Sequence, residues 1–249
     1  MRGRPGLSRS LAWFLAAAVL LHFAYPLTLN GQLWALAYTL VYPLVVFLGL
    51  RVVLPPGRRL LPVAVFSAVF LTAGFWAVFH PETPLARLGL FSAIVLFQGY
   101  LILALLTFVF TYGQRHRSSH GPQLVMAAIC VYLLLGGLFG ALFGLMEALW
   151  PGGFENSLDP HAPVTWQELN YLSFVTLVTL GYGDMVPVGA WARSLAVCEA
   201  VAGTLFLATV IARIVGAYVS PPGPDPDDDG PTETDCPGSP GPGPPAGNG

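Results

Sequence analysis

Lysine is absent from the 249 residues, and charged side chains of all kinds make up 10% of them. A soluble domain carries roughly 25%, so this composition cannot dress a surface that faces water on every side. Arginine supplies all 11 basic side chains, and they are scattered. That spacing excludes the clustered basic face that nucleic-acid binding needs, and no nucleic-acid partner is expected. Cysteine is scarce. Cys130, Cys198 and Cys236 lack the paired spacing of a metal site or a disulfide framework, and free thiols are expected. Six of the 13 acidic residues (Asp225, Asp227, Asp228, Asp229, Glu233 and Asp235) fall in the last 30 positions. The net charge of −2 therefore averages a positive body and an acidic tail.

What the chain has instead is long apolar runs. A helix that spans a bilayer needs about 20 mostly apolar residues. Six runs approach or exceed that length: Leu11–Leu29, Leu33–Leu50, Leu60–Phe79, Leu88–Tyr112, Leu124–Trp150 and Ala192–Tyr218. They lack the alternation of a membrane barrel, which predicts a multi-pass helical protein with the lipid bilayer as its solvent. Pro26, Pro43 and Pro62 are read as kinks, which membrane helices tolerate when neighbours satisfy the freed backbone groups. Nine arginines (Arg2, Arg4, Arg9, Arg51, Arg58, Arg59, Arg115, Arg117 and Arg213) fall on one side of these spans, leaving Arg87 and Arg193 opposite. The arginine-rich side should be cytoplasmic, with both termini inside. No small-residue cleavage pattern ends the first run, so it is read as a span and not as a removed leader.

The domain reading follows from these runs. Residues 1–10 form a cytoplasmic N-terminus, 11–112 a four-helix transmembrane region, 113–123 a cytoplasmic linker, 124–219 a separate two-span unit, and 220–249 a disordered acidic tail. The tail is rich in Pro and Gly and has no apolar run to bury. No cytosolic ligand-binding module is expected after the sixth span, and the sequence identifies no small-molecule ligand.

The segment between the fifth and sixth runs has its own chemistry. Thr165–Val178 contains no Gly or Pro, and Thr165 with Glu168 three positions on has the spacing of a capping box. At about 21 Å this helix is too short to span and is predicted to be re-entrant. It runs directly into Thr179-Leu180-Gly181-Tyr182-Gly183-Asp184. A dehydrated cation needs its water oxygens replaced, and a row of backbone carbonyls along a narrow axis can do that. Gly181 and Gly183 permit backbone angles that alternate in hand, which residues with a Cβ disfavour, so the carbonyls can all face one way. Thr179 adds a hydroxyl at the inner end of the row, while Leu180 and Tyr182 turn outward into packing.

TLGYGD after a short helix and between two spans resembles the selectivity filter of the potassium channel superfamily. The wider strings YLSFVTLVTLGYGDMVP and ARSLAVCEAVAGTLFLATVIARIVGAY resemble bacterial ion-channel proteins with a single pore domain per chain. The resemblance covers about Leu124–Tyr218, which makes residues 124–219 a potassium-channel pore domain. The fold it implies is an all-α membrane protein with six transmembrane helices and a re-entrant pore helix and filter loop between helices 5 and 6. K+ would be held by the carbonyls of Thr179, Leu180, Gly181 and Tyr182, with Gly183 and Asp184 completing the filter. Leu180 stands where valine is commoner, and Tyr171 stands where the family usually has Trp, placed to brace Asp184. Gly203 matches the hinge glycine of the inner helix, although close packing explains a membrane-helix glycine equally well.

Three further assignments rest on helical spacing. Thr204, Leu207, Ala208, Ile211 and Val215 share one helix face, expected to line an inner cavity, with Ile211 and Val215 as an apolar gate. Glu199 lies roughly 140° away from Thr204 around the helix, off the ion path. An ionisable residue inside a membrane is costly and functional by default. It is expected to support the filter through a hydrogen bond to Ser173 or through Thr176.

A filter must surround its axis and this chain supplies one pore segment, so a homotetramer is expected, conducting K+ passively across the cell membrane. Permeant K+ is the only ion required, and no cofactor and no enzymatic step are expected. A poorly selective cation channel is the nearest alternative. A transporter or a non-conducting scaffold is the remaining one, and a transporter would show inverted repeats or a second pore segment, of which neither is seen.

Voltage-gated relatives of a six-span channel carry Arg at every third position of the fourth span. Here the run Leu88–Tyr112 contains no charged residue, and Arg87 lies just outside it. One elementary charge crossing the field contributes about 2.3 kcal/mol per 100 mV, and this span has none to move. Open probability should therefore vary only weakly with potential. Single-channel recording in symmetrical K+ tests this, and a slope demanding several gating charges per subunit would refute it.

Overall fold

The computed structural model describes residues 13–219 apart from 14, 18, 54–60, 82 and 116–120, and side chains for all of these except 46–53, 108–115, 121–124 and 214–219. Residues 1–12, the tail 220–249 and Cys236 lie outside the described residues. So do Arg2, Arg4, Arg9, Arg58, Arg59 and Arg117, on which much of the expected orientation rests.

Residues 13, 15–17 and 19–23 are helical (α1). A 3-10 turn over Tyr25–Asn30 follows, then α2 (Gln32–Val53), α3 (Leu61–Phe79), α4 (Pro84–Arg115) and α5 (Gly121–Leu149). The chain continues through β1 (Phe154–Asn156), α6 (Trp166–Leu177), β2 (Met185–Pro187) and α7 (Ala190–Val219).

Among the described residues, four helical stretches are long and apolar enough to cross a membrane: Leu61–Phe79, Pro84–Thr107, Val125–Leu149 and Ala190–Arg213. The first expected run, Leu11–Leu29, is not one helix. Pro26 has no backbone N–H with which to continue an α-helix, and the run breaks at Ala24 into α1 and the 3-10 turn. Proline acts differently elsewhere. Pro43 sits within an unbroken α2, and Pro62 occupies the first turn of α3, where its missing N–H is harmless, so it marks a start and not a kink. Helices α4 and α5 both extend into the 113–123 segment read as a linker.

The all-α expectation needs one correction. β1 and β2 pair antiparallel in the register Phe154 with Pro187, Glu155 with Val186 and Asn156 with Met185. Three residues a strand are too few to leave an alternating apolar signature, and this ribbon ties the loop before α6 to the loop after it.

Helix α5 is the hub. It packs against α4, α6 and α7, while α3 packs against α4 and α2 against α3 and the 3-10 turn. One apolar cluster joins the N-terminal helices to α5 through Tyr42, Phe70, Phe97, Leu101 and Val131. A second lies under the ribbon, built from Phe143, Phe154, Leu169, Leu172, Met185 and Ala192.

Lipid is as apolar as leucine, so helices in a bilayer associate by close packing and not by a hydrophobic force between them. Small residues make that packing close. Gly136, Gly140 and Gly144 lie four apart on α5. A Cβ at Gly136 would come within 2.6 Å of the Phe174 ring, and one at Gly144 within 2.4 Å of Phe91. At Gly140 it would stand 2.9 Å from Asn170 Oδ1 and 3.0 Å from the Asn170 Cα.

A backbone atom cannot rotate aside, so Gly140→Ala should destabilise the protein by about 1–3 kcal/mol. Gly89 on α4 has nothing within 4 Å of its added Cβ, and Gly89→Ala should be neutral or slightly stabilising. Thermal unfolding of the two variants in the same detergent checks the contrast.

Candidate functional site

Helix α6 begins as its sequence dictates. Thr165 caps it: the Glu168 backbone N–H donates to Thr165 Oγ1 at 3.3 Å, and Glu168 Oε2 accepts from Thr165 N at 2.7 Å and from its hydroxyl at 2.8 Å. Asn156 Nδ2 on β1 donates to Glu168 Oε1 at 2.9 Å. Burial pushes the Glu168 carboxyl up, but the donations from Thr165 and Asn156 outweigh it and hold the group below its ordinary value. This cap is stabilising above the usual carboxylate range and is lost as acid protonates it.

The other end of α6 hands over to TLGYGD. Leu180 N donates to Val175 O at 2.9 Å, Thr179 N to Thr176 O at 2.9 Å, and Tyr132 Oη on α5 to Leu177 O at 3.0 Å. Thr176 thus serves the loop through its carbonyl. Positive φ angles then recur at every second residue, with Thr179 at 57°, Gly181 at 55° and Gly183 at 78°. For Thr179 this is a sterically uncommon conformation, held by the helix end beneath it.

Asp184 is pinned from three directions. Tyr171 Oη donates to its Oδ2 at 2.8 Å, Met185 N to its Oδ1 at 3.0 Å, and Ser157 N to its carbonyl at 2.7 Å. The structure thus brings Tyr171 and Asp184 together across the loop. Leu180 and Tyr182 are 52% and 68% exposed, so the outward packing expected for them is not supplied within one chain.

Helix α7 turns one stripe inward. Ala192, Ala196, Glu199 and Gly203 are buried, while Thr204, Leu207, Ala208 and Ile211 are exposed on other faces. Thr204 Oγ1 donates to Ala200 O at 2.8 Å within the helix. Val215 lies on the same helix, but its side chain is outside the described residues. A Cβ on Gly203 would meet Leu177 Cδ1 at 2.7 Å and Leu177 O at 3.1 Å. Helix α7 runs unbroken through this position, so here the glycine serves close packing against the end of α6.

Glu199 is fully buried and meets Ser173, not Thr176. The Ser173 hydroxyl reaches both the Gly136 carbonyl, at 2.6 Å, and Glu199 Oε1. A hydroxyl has one hydrogen. Serving two oxygens at once requires the carboxyl to bring a second proton, so Glu199, Ser173 and Gly136 form a chain that ties α7, α6 and α5 together.

Several contributors left little trace in sequence. Tyr132 and the Gly136 carbonyl reach α6 only because α5 approaches it closely, and the glycines four apart were the available signal. Glu147 accepts from Gly152 N at 2.7 Å and Gly153 N at 3.0 Å, closing the turn after α5. The N-terminal helices also reach α6. Gln167 Nε2 donates to Thr28 Oγ1 at 3.1 Å, and Trp166 packs against Tyr25 and Tyr38.

Comparison with known proteins fits this geometry. Residues 127–220 match the ion channel family. The protein LctB of Bacillus caldotenax is 42% identical over 103 residues, which are 40% of this chain and 75% of LctB. The inward rectifier potassium channel Kirbac3.1 of Paramagnetospirillum magnetotacticum is 31% identical over 107 residues, 41% of this chain and 35% of that channel. At 42% identity over three quarters of LctB, the chain belongs to the family of that protein, with an ion channel domain over residues 127–220. The matched part is about a third of the length of Kirbac3.1, and no solved structure matches the chain. With its long apolar helices and an ion channel domain it is a multi-pass membrane protein, and the loop described above lies inside that domain.

The hydrogen count at Ser173 predicts a specific mutational pattern. Glu199→Gln keeps a neutral donor and should hold stability within about 1 kcal/mol. Glu199→Ala and Ser173→Ala each leave a buried partner unmet and should cost about 1–3 kcal/mol. Unfolding midpoints of the three variants check this, and a Gln variant as weak as the Ala variant would refute the shared proton.

Proposed function

We propose that four copies of this chain form a K+-selective pore that conducts passively across the cell membrane, with both termini cytoplasmic. In this reading α6 is a re-entrant pore helix, six helices span the bilayer, and TLGYGD is the filter. The observation that carries the reading is the positive φ at Thr179, Gly181 and Gly183. Alternation in hand along a strand lets successive carbonyls face one axis, where they replace the hydration shell of an ion. The K+ sites are then the carbonyls of Thr179, Leu180, Gly181 and Tyr182. Tyr171, Thr176 and Glu199 hold the filter from behind and above, and Asp184 adds negative charge at its mouth.

Assembly is supported by what one chain leaves uncovered. Leu180, Tyr182, Leu205 and Ile211 are large apolar or aromatic residues more than half exposed, around the loop and along α7. A neighbouring copy covers the first two and leaves Thr204, Leu207, Ile211 and Val215 facing a shared cavity. Gly203 beside the end of α6 couples any movement of α7 to the base of the filter. The arginine distribution supports the orientation.

Rb+ uptake into vesicles containing the purified protein tests this reading. The expected result is uptake that greatly exceeds Na+ uptake and is blocked by Ba2+. Gly183→Ala should abolish it while leaving membrane insertion intact. The added Cβ meets nothing within 4 Å, so its effect comes from the left-handed backbone, which costs an L-residue about 1–2 kcal/mol. Equal Rb+ and Na+ uptake would overturn the selectivity, and robust uptake by the Gly183 variant would place the filter elsewhere.

A further inference from the structure

We propose that residues 22–28 act as a bracket on α6, and that Trp166 and Gln167 are positioning residues through which this bracket sets the geometry of the TLGYGD loop. The bracket lies outside residues 127–220, the stretch that matches the ion channel family. Its consequence for ion selection rests on the channel reading above, whereas the hold on α6 stands on the contacts alone.

Those contacts fall at both ends of one helix. At the first turn of α6, Trp166 meets the rings of Tyr25 and Tyr38, with centroids 6.1 and 6.3 Å away, and Gln167 Nε2 donates to Thr28 Oγ1 at 3.1 Å. Near the far end, the Phe174 ring meets His22 edge-on and Phe23 at a tilt, both with centroids 6.0 Å apart. Trp166 and Phe174 are separated by about 12 Å along the helix. Two contacts so spaced oppose tilting, where a single contact would leave a pivot. Beside Phe174, the Val175 carbonyl accepts from Leu180 N at 2.9 Å, and the Thr176 carbonyl accepts from Thr179 N at 2.9 Å. A tilt of α6 therefore carries the support of the loop with it.

The bracket is built to be stiff. Pro26 stands in the opening turn of Tyr25–Asn30, where its ring fixes φ. Gly31 closes that turn at a φ of 120°, with nothing within 4 Å of an added Cβ, so glycine is there for its backbone and not for space. The Thr28 hydroxyl donates to Tyr25 O at 2.6 Å. Its one hydrogen is thereby committed, and toward Gln167 it acts only as an acceptor. Gln167, Thr28 and the Tyr25 carbonyl thus form a directed chain from α6 into the backbone of the bracket. No linear motif announces it, because 139 positions separate Thr28 from Gln167.

Hydrogen exchange of the full-length protein in lipid vesicles, read on the peptide carrying Val178, Thr179 and Leu180, tests the proposal together with Rb+ and Na+ uptake by the same vesicles. Thr28→Val and Gln167→Met each remove the bond between bracket and helix while keeping side-chain size. Each should speed exchange of those amides about fivefold, the shift in local opening expected when one hydrogen bond is lost, and should lower Rb+ over Na+ uptake several-fold. Thr28→Ser keeps the hydroxyl and should match the wild type in both. Phe66→Leu weakens the packing of α3 on Tyr100 of α4; it should lower the unfolding midpoint and leave exchange of the loop amides at the wild-type rate. Unchanged exchange in both Thr28→Val and Gln167→Met would overturn the proposal. Equally fast exchange in Phe66→Leu would also overturn it, since the effect would then be general loosening and not positioning. If wild-type vesicles take up no Rb+, the channel reading fails, and the exchange result still decides the bracket.

Discussion

Close approach between α5 and α6 is the constraint on which the site depends. Their contact comes from shape. Gly136 and Gly140 remove the side chains that would hold α6 away. Only then does Ser173 reach the Gly136 carbonyl and Tyr132 reach the Leu177 carbonyl. The carbonyls at the end of α6 in turn hold the backbone of Thr179 and Leu180. A loop with positive φ at alternate residues would otherwise relax, because Thr179 has no intrinsic preference for that geometry.

Polar groups around the loop are used in connected sets. Glu199, Ser173 and Gly136 join three helices through one chain of hydrogen bonds. Tyr171, Asp184, Met185 and Ser157 form a second set on the other side of the loop. The two sets grip α6 and its loop from below and above. The ribbon of β1 and β2 adds a third restraint, so the loop is fixed at both ends while its middle stays exposed. Exposure of that middle is what an ion-binding backbone requires, since a carbonyl already bonded within the chain has less to offer a cation.

The N-terminal helices are more than a surround. Thr28, Tyr25 and Tyr38 contact the first turn of α6. These contacts connect residues outside the ion channel domain to the helix that carries the loop.

The TLGYGD loop, the capped short helix before it and the long apolar run on each side were legible in the sequence, because each is local. Glycine spacing sets backbone freedom, a Thr and a Glu three apart set a cap, and an uninterrupted apolar run sets a helix in lipid. Tyr171 with Asp184 was within reach through the family resemblance, and Glu199 with Ser173 through helical periodicity, which placed Glu199 on the face where its partner lies. The break at Pro26, the three-residue ribbon, the role of Glu147 and the tyrosine at position 132 were not. Each depends on what lies across a gap that only packing closes. The sequence alone left Gly203 balanced between bending and packing, and the tertiary structure supplied the Leu177 carbonyl against it. Periodicity states which way a side chain faces, and only the folded chain states what it meets.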